Sequence, residues 1–276
     1  MSWLESIVYG FISGLAEFLP ISSRGHQIIL IQIFGVSQLD PVRSLFIYLG
    51  VLLALITCCA SMIGRFRREA KLAERYRHSR TAHAELKTGY DMRLLKTAAV
   101  PLLLGLLLNM GTSNIENNPV WVILFFLING TLMFVVEHIR HGNKDARSMS
   151  GFDAILIGIS SALSVLPGIS RVGINSLTAT ARGADRQHAL NWALMLSIPA
   201  LILLCGFDVL RIIGGQYAAA SFSVVLGYIL STVFAFAGAY SGILIMRFLT
   251  VRTGYSGFAY YSWGAAMLLF VLYLIA

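Results

Sequence analysis

Charge is what this sequence has least of. Only 12% of its 276 residues are Asp, Glu, Lys or Arg, about half the roughly 25% that a soluble domain carries. Acidic residues are the scarcer kind, with 13 Asp+Glu against 21 Lys+Arg. There are three cysteines, Cys58, Cys59 and Cys205, all inside apolar runs. They argue against a disulfide framework or a metal site and for small buried apolar residues. Apolar–polar alternation at the strand period is missing and the apolar runs are long, so helices rather than a β-barrel are expected. The start, Met1-Ser2-Trp3-Leu4-Glu5, has no basic region and no small-residue cleavage site, so no removable signal peptide is expected.

What fills the chain instead is apolar. Hydrophobic residues make up 57% of it and the mean hydropathy is +0.74. An all-α integral membrane protein is the expectation. The net charge of +8 could suggest a nucleic-acid partner. Cytoplasmic loops explain it more simply, and no nucleic acid is expected. The apolar segments fall at residues 4–18, 21–34, 43–63, 94–110, 119–138, 153–166, 169–182, 187–206, 221–247 and 255–276. Residues 64–93 form the one extended hydrophilic region, which reads as helical, solvated and cytoplasmic.

Seventeen of the 21 basic residues cluster in 64–96, 139–152, 182–186 and 247–252. The positive-inside rule places those stretches in the cytoplasm. Arg43 and Arg211 then fall in outside loops, and Asp40, Glu116 and Asp208 lie in or near such loops. The trace closes if 4–34 and 153–182 are re-entrant hairpins and the other six segments span. That predicts two inverted repeats, 1–138 and 139–276, with both termini outside and the hairpins meeting near the midplane.

Both hairpins break at a polar motif. The first is Glu17-Phe18-Leu19-Pro20-Ile21-Ser22-Ser23-Arg24-Gly25-His26. Pro20 lacks an N–H and disfavours helical geometry at Leu19, so a helix should stop here. Ser22 can cap a new one, whose free N–H groups make an anion site. Ser22 or Ser23 and His26 share a helical face. The second motif is Leu166-Pro167-Gly168-Ile169-Ser170-Arg171-Val172-Gly173. Aligned on Ser-Arg, the two lie a little over half the chain apart. Such paired interruptions point to a binding site made of broken helices.

Arg24 and Arg171 each offer a planar fork of donors for phosphate. With Ser22, Ser170 and two helix N-termini they imply a ligand of more than one negative charge. Ser23 is a candidate nucleophile, His26 a candidate acid or base, and Glu17 a candidate base or metal ligand. A divalent ion bridging Glu17 to a diphosphate is conceivable; a cage of protein ligands alone is not expected. Asn175, with Ser176 and Thr178, follows the second motif; it either lines the site, and is counted with the phosphate ligands, or packs between helices. Ser and Arg beside a proline can merely satisfy broken backbone and neutralise Glu17. Two motifs placed as inverted repeats argue against that reading. His78, His83, His138 and His141 read as solvated, and Tyr260, Tyr261 and Trp263 as packing or interface aromatics.

At these residues the chain resembles the undecaprenyl-diphosphate phosphatases of the bacitracin-resistance type. The matching pieces are Gly14-Leu15-x-Glu17-Phe18-Leu19-Pro20-x-Ser22-Ser23-x-Gly25-His26 and Pro167-Gly168-x-Ser170-Arg171-x-Gly173, with weaker similarity at Leu49-Gly50 and Ser197-Ile198-Pro199. The resemblance implies hydrolysis of a C55 isoprenoid diphosphate to the monophosphate on the outer face of a bacterial plasma membrane, recycling the cell-wall lipid carrier. It implies roles for Glu17, Ser23, His26 and Arg171 with a divalent cation, Mg2+ or Ca2+. Its partners would be the polyprenyl diphosphate, membrane lipids and, as an open arrangement, a second copy in a homodimer. The chain departs from the family at Ser13, where a second glutamate is usual, at Arg24, where a small hydroxyl residue is usual, at Tyr48 in place of glutamine, and at Val172 and Asn175. A non-hydrolytic binder or transporter of polyprenyl phosphates is the alternative, since inverted repeats also serve alternating access.

Overall fold

The computed structural model describes residues 1–36, 40–76, 90–109, 115, 118–139, 142–145, 148–215, 221–252 and 254–275. Its helices are α1 Trp3–Phe18, α2 Ser23–Ile33, α3 Pro41–Tyr76, α4 Tyr90–Asn109, α5 Pro119–His138, α6 Gly151–Leu163, α7 Arg171–Ala181, α8 Arg186–Gly214, α9 Phe222–Arg252 and α10 Ser256–Ile275. No strand is formed among the described residues.

Helix starts follow from local chemistry. Ser2 and Glu5 form a capping box at α1, and Ser150 and Asp153 form another at α6. Each satisfies two backbone donors that a helix start leaves over. Asn118 caps α5 ahead of Pro119, and Asp185 caps α8.

Among the described residues, five helical stretches are long and apolar enough to cross a membrane: Pro41–Glu69, Pro119–His138, Arg186–Gly214, Phe222–Thr250 and Ser256–Ile275. The chain is a multi-pass helical membrane protein. The segment expected to span at 94–110 lies in α4 and runs past its last described residue, 109. Large apolar side chains such as Val100, Leu104, Ile213, Phe222 and Met267 face outward, as lipid contact requires and water would not tolerate.

Small residues let the helices meet at backbone distance. On α1, Gly10 and Gly14 lie against the backbones of Ser231 and Ala235 on α9, where any Cβ would clash. Gly158 of α6 meets Ala98 of α4 in the same way. This is how helices associate where burial from water gives no drive. In the middle, α3 packs on α8, and α5 packs on α10.

Three helices outrun their expected ends, α9 by running past 247 to Arg252. α3 continues beyond 63 into the hydrophilic region as far as Tyr76, and 77–89 lies outside the described residues, with His78 and His83. α8 continues beyond 206 to Gly214, so Asp208 and Arg211 are helical and not in an outside loop. Apolar residues keep helical spacing through Val209, Leu210, Ile212 and Ile213, which carries the helix on and turns Asp208 inward. Arg43 is also not in a loop. It is buried in the first turn of α3 and donates to Ser6 Oγ at 3.0 Å and Ser231 Oγ at 2.9 Å, joining α1, α3 and α9. Asp40, beside it, accepts from the Tyr228 hydroxyl at 2.8 Å. Glu116 and His141 lie outside the described residues.

Candidate active site

The two breaks are stitched to each other. Leu19, before Pro20, is extended (φ −87°, ψ 151°), so α1 stops where the proline demands. Ser22 takes a positive φ of 67° and Gly168 one of 115°. The Ser22 hydroxyl accepts from its own helix at Gly25 N, 3.3 Å, and from the other break at Gly168 N, 2.9 Å. The Ser170 hydroxyl accepts from Gly173 N at 3.2 Å and donates to Leu19 O at 3.0 Å. Asn129 of α5, fully buried, clamps both: its Oδ1 accepts from Ser170 N at 2.9 Å and its Nδ2 donates to Pro20 O at 3.0 Å.

These caps correct the alignment of the motifs. The structural counterparts are Ser22 and Ser170, each capping its helix through the glycine three residues on. Ser23 and Arg171 then share the first helical position, and Arg24 corresponds to Val172. Matching Ser-Arg to Ser-Arg is wrong by one residue, because identity of letters does not report which hydroxyl faces the backbone.

Glu17, Ser23, Arg24 and Arg171 line one cleft of about 40 Å³, with Tyr48, Ser164, Asp208 and Arg211. That is room for a few water molecules or a small oxyanion. An Arg171 guanidinium nitrogen lies 2.8 Å from Glu17 Oε1, with Glu17 buried and Arg171 partly buried. Its Nε donates to Ser164 Oγ at 3.4 Å. The Ser23 hydroxyl donates its proton to the Ser13 carbonyl at 2.9 Å. Arg24 reaches Gln27 Oε1 at 3.4 Å. Three guanidiniums around one small cleft suit a multiply charged anion.

His26 stands apart. It lines a neighbouring apolar groove of about 500 Å³ with Ile12, Leu15, Ile29, Tyr261 and Leu268, and Ala16 borders both spaces. Its Nδ1 lies 2.7 Å from Ser22 O, its Nε2 lies 2.7 Å from the Tyr261 hydroxyl, and Phe126 meets the ring edge-on. A carbonyl only accepts, so Nδ1 carries the proton and neutral Nε2 accepts from Tyr261. Ser22, Ser170 and Asn175 do not line the cleft. The two serines make the caps, and Asn175 bonds Ser160 and Ser161 at 3.2 and 3.3 Å, holding α7 to α6.

Tyr48, Ser164, Asp208, Arg211, Asn129 and Tyr261 were not among the site residues expected from sequence: Tyr261 read as a packing or interface aromatic, Tyr48 only as a departure from the family, and Asp208 and Arg211 as residues in or near loops. Asp208 and Arg211 carried a signal, being ionisable residues at the end of an apolar run. The others belong to no local motif. Among the described residues no three His, Cys, Asp or Glu converge on a point. One or two carboxylates with substrate phosphates is the usual way of holding Mg2+. Glu17 and Asp208, both lining the cleft, supply that kind of donor set.

The sequence matches the family described as bacitracin resistance protein BacA over residues 6–268. It is 30% identical over 288 residues to an undecaprenyl-diphosphatase of Treponema denticola, covering 96% of this chain and all of that one. It is 28% identical to undecaprenyl-diphosphatase 3 of Bacillus cereus, over 99% of this chain and 98% of the relative. With undecaprenyl-diphosphatase 1 of Shouchella clausii the identity is 26%, over 98% and 96%.

Proposed function

Because the chain belongs to the bacitracin resistance protein BacA family, we infer that it is an undecaprenyl-diphosphate phosphatase. It hydrolyses undecaprenyl diphosphate to undecaprenyl phosphate and inorganic phosphate, which recycles the cell-wall lipid carrier. The observation that carries this reading at the level of chemistry is the convergence of Glu17, Ser23 and Arg171 from the two breaks on one cleft.

The diphosphate occupies that cleft, and the isoprenoid lies in the apolar groove that meets it at Ala16. Arg171 exchanges part of its bond to Glu17 for phosphate oxygens. The released carboxylate then accepts a proton. Attack on the terminal phosphorus comes either from a water that Ser23 orients, which gives inorganic phosphate directly, or from Ser23 Oγ, in which case a water then cleaves the phosphoserine ester, releasing inorganic phosphate and restoring the hydroxyl. The P–O–P bridge breaks, and the lipid monophosphate departs with its bridging oxygen. His26 serves proton transfer at the groove side once Nε2 is released by Tyr261. Mg2+ or Ca2+ would be held by Glu17, with Asp208 near. When bound it neutralises phosphate charge.

The arrangement is read as six spans and two re-entrant hairpins in inverted repeats 1–138 and 139–276. Two pairings support this: α1 lies on α9 as α6 lies on α4, and α3–α8 and α5–α10 pair across the halves. The distribution of basic residues supports a cleft on the outer side of the bacterial plasma membrane.

Phosphate release from C55 diphosphate by purified protein is the test. Release that disappears in Glu17→Gln and falls strongly in Arg171→Lys supports the reading. Tight lipid binding with no release by the wild-type protein would replace it with the transporter.

A further inference from the structure

We propose that Arg211 and Asp208 of α8 form a second phosphate clamp in the cleft, separate from Arg171 and Glu17, and that this clamp makes the protein select diphosphates over monophosphates. The choice of ligand rests on the diphosphatase reading above.

Four observations carry it. First, Arg211 and Asp208 line the same cleft as Arg171, Ser23 and Glu17. Second, Asp208 is buried, 4% exposed, in a helix that is otherwise apolar around it. A carboxylate is disfavoured both by burial and by the negative end of the helix dipole, and Asp208 sits less than two turns from the end of α8. Its persistence calls for a cation to place. Third, Asp208 Oδ1 and the Arg211 guanidinium are 4.0 Å apart. That is an ion pair outside hydrogen-bond range. It orients the fork while leaving its donors able to reach a ligand, unlike Arg171, held at 2.8 Å by Glu17. Fourth, Tyr48, a buried tyrosine of α3, lines the cleft together with Glu17, Arg171, Asp208 and Arg211. The two acid–arginine pairs therefore surround one space.

A diphosphate has two phosphoryl groups to anchor. A single bidentate arginine grips one of them. With Arg171 on one phosphoryl group and Arg211 on the other, the diphosphate is held at both ends of its bridge, and a monophosphate only at one. The competing explanation is that Arg211 merely complements the C-terminal dipole of α8. It predicts no ligand dependence.

The test uses the detergent-purified full chain and two probes, farnesyl methylenebisphosphonate, whose P–C–P bridge cannot be hydrolysed, and farnesyl monophosphate. Affinities are measured by titration calorimetry for wild type, Arg211→Gln and Arg211→Lys. Wild type should bind the bisphosphonate at least tenfold tighter than the monophosphate. Arg211→Gln should remove most of that ratio by weakening the bisphosphonate alone, and Arg211→Lys should fall between. Equal weakening of both probes, or weakening of neither, overturns the clamp. If Arg211→Gln does not fold, Arg211→Lys decides by the same ratio. Binding is read without turnover, so a protein that binds selectively and releases no phosphate would refute the enzyme and leave the clamp standing.

Discussion

The Tyr261 hydroxyl sits 2.7 Å from Nε2 of His26 while the two rings stack with centroids 5.6 Å apart and planes 14° from parallel. The imidazole is thus held from both sides, since Nδ1 is fixed by the Ser22 carbonyl. One phenol determines whether the basic nitrogen of His26 is reachable. Tyr261→Phe keeps the stacking surface and removes the hydroxyl. Losing a neutral hydrogen bond costs about 1 kcal/mol, close to fivefold to tenfold. Phosphate release should change by about that factor, and His26→Ala should be far worse, by about a hundredfold or more. Wild-type turnover in both variants would remove this pair from the reaction.

Arg171 and Glu17 can be separated into structural and chemical shares. Arg171→Ala leaves the Glu17 carboxylate buried without its guanidinium, which for a fully buried pair costs about 3–5 kcal/mol; the cleft lowers that towards 2. The double variant Glu17→Gln/Arg171→Met should regain most of the loss in thermal unfolding in detergent and still release no phosphate. A double variant as unstable as Arg171→Ala would mean the pair is not the source of the cost.

Ser22 combines a cap with an unfavourable backbone, φ 67°. Ser22→Ala loses the cap to Gly25 N and the bond to Gly168 N while keeping the strain. It should destabilise by about 1–2 kcal/mol. Ser22→Gly loses the same hydroxyl but relaxes the backbone, so it should be the milder change by about 1 kcal/mol. Melting temperatures in the opposite order would contradict the strain.

Orientation is open to direct labelling. In a background lacking Cys58, Cys59 and Cys205, single cysteines at Ser113 and Ser79, both outside the described residues, are probed with an impermeant thiol reagent. Position 113 should react in intact cells and 79 only after lysis. The reverse would place the cleft on the cytoplasmic side.

The breaks were legible because Pro20 and Gly168 act locally: one removes a donor, the other accepts a conformation that a side chain resists. Glu17, Ser23, Arg24 and Arg171 were legible as ionisable or hydroxyl groups in apolar surroundings, and they do share a cleft. Spacing failed where a hydroxyl had two possible partners. Ser22, Ser170 and Asn175 look like ligand groups in a string of letters, yet Ser22 and Ser170 bond the backbone at Gly25 and Gly173, since unsatisfied backbone next to a break competes for donors and acceptors, and Asn175 bonds the hydroxyls of Ser160 and Ser161 on the neighbouring helix. Asn129, Tyr48 and Tyr261 reach the breaks and the two cavities from remote helices, and only packing brings them there. Asp208 and Arg211 were assigned to a loop because the run of apolar residues was ended too early.

The reciprocal caps place Ser23 and Arg171 at the same helical position on opposite arms. Two copies of one motif would have offered either a pair of hydroxyls or a pair of guanidiniums, a cradle equally good in either direction. Here one arm presents a hydroxyl and the other a guanidinium, and under the proposed mechanism a bound diphosphate would have a head and a tail. Exchanging those two residues, Ser23→Arg with Arg171→Ser, leaves the inventory of atoms intact and reverses the polarity of the cradle. In the proposed inverted-repeat reading, the cradle gains its direction at the place where the two motifs differ.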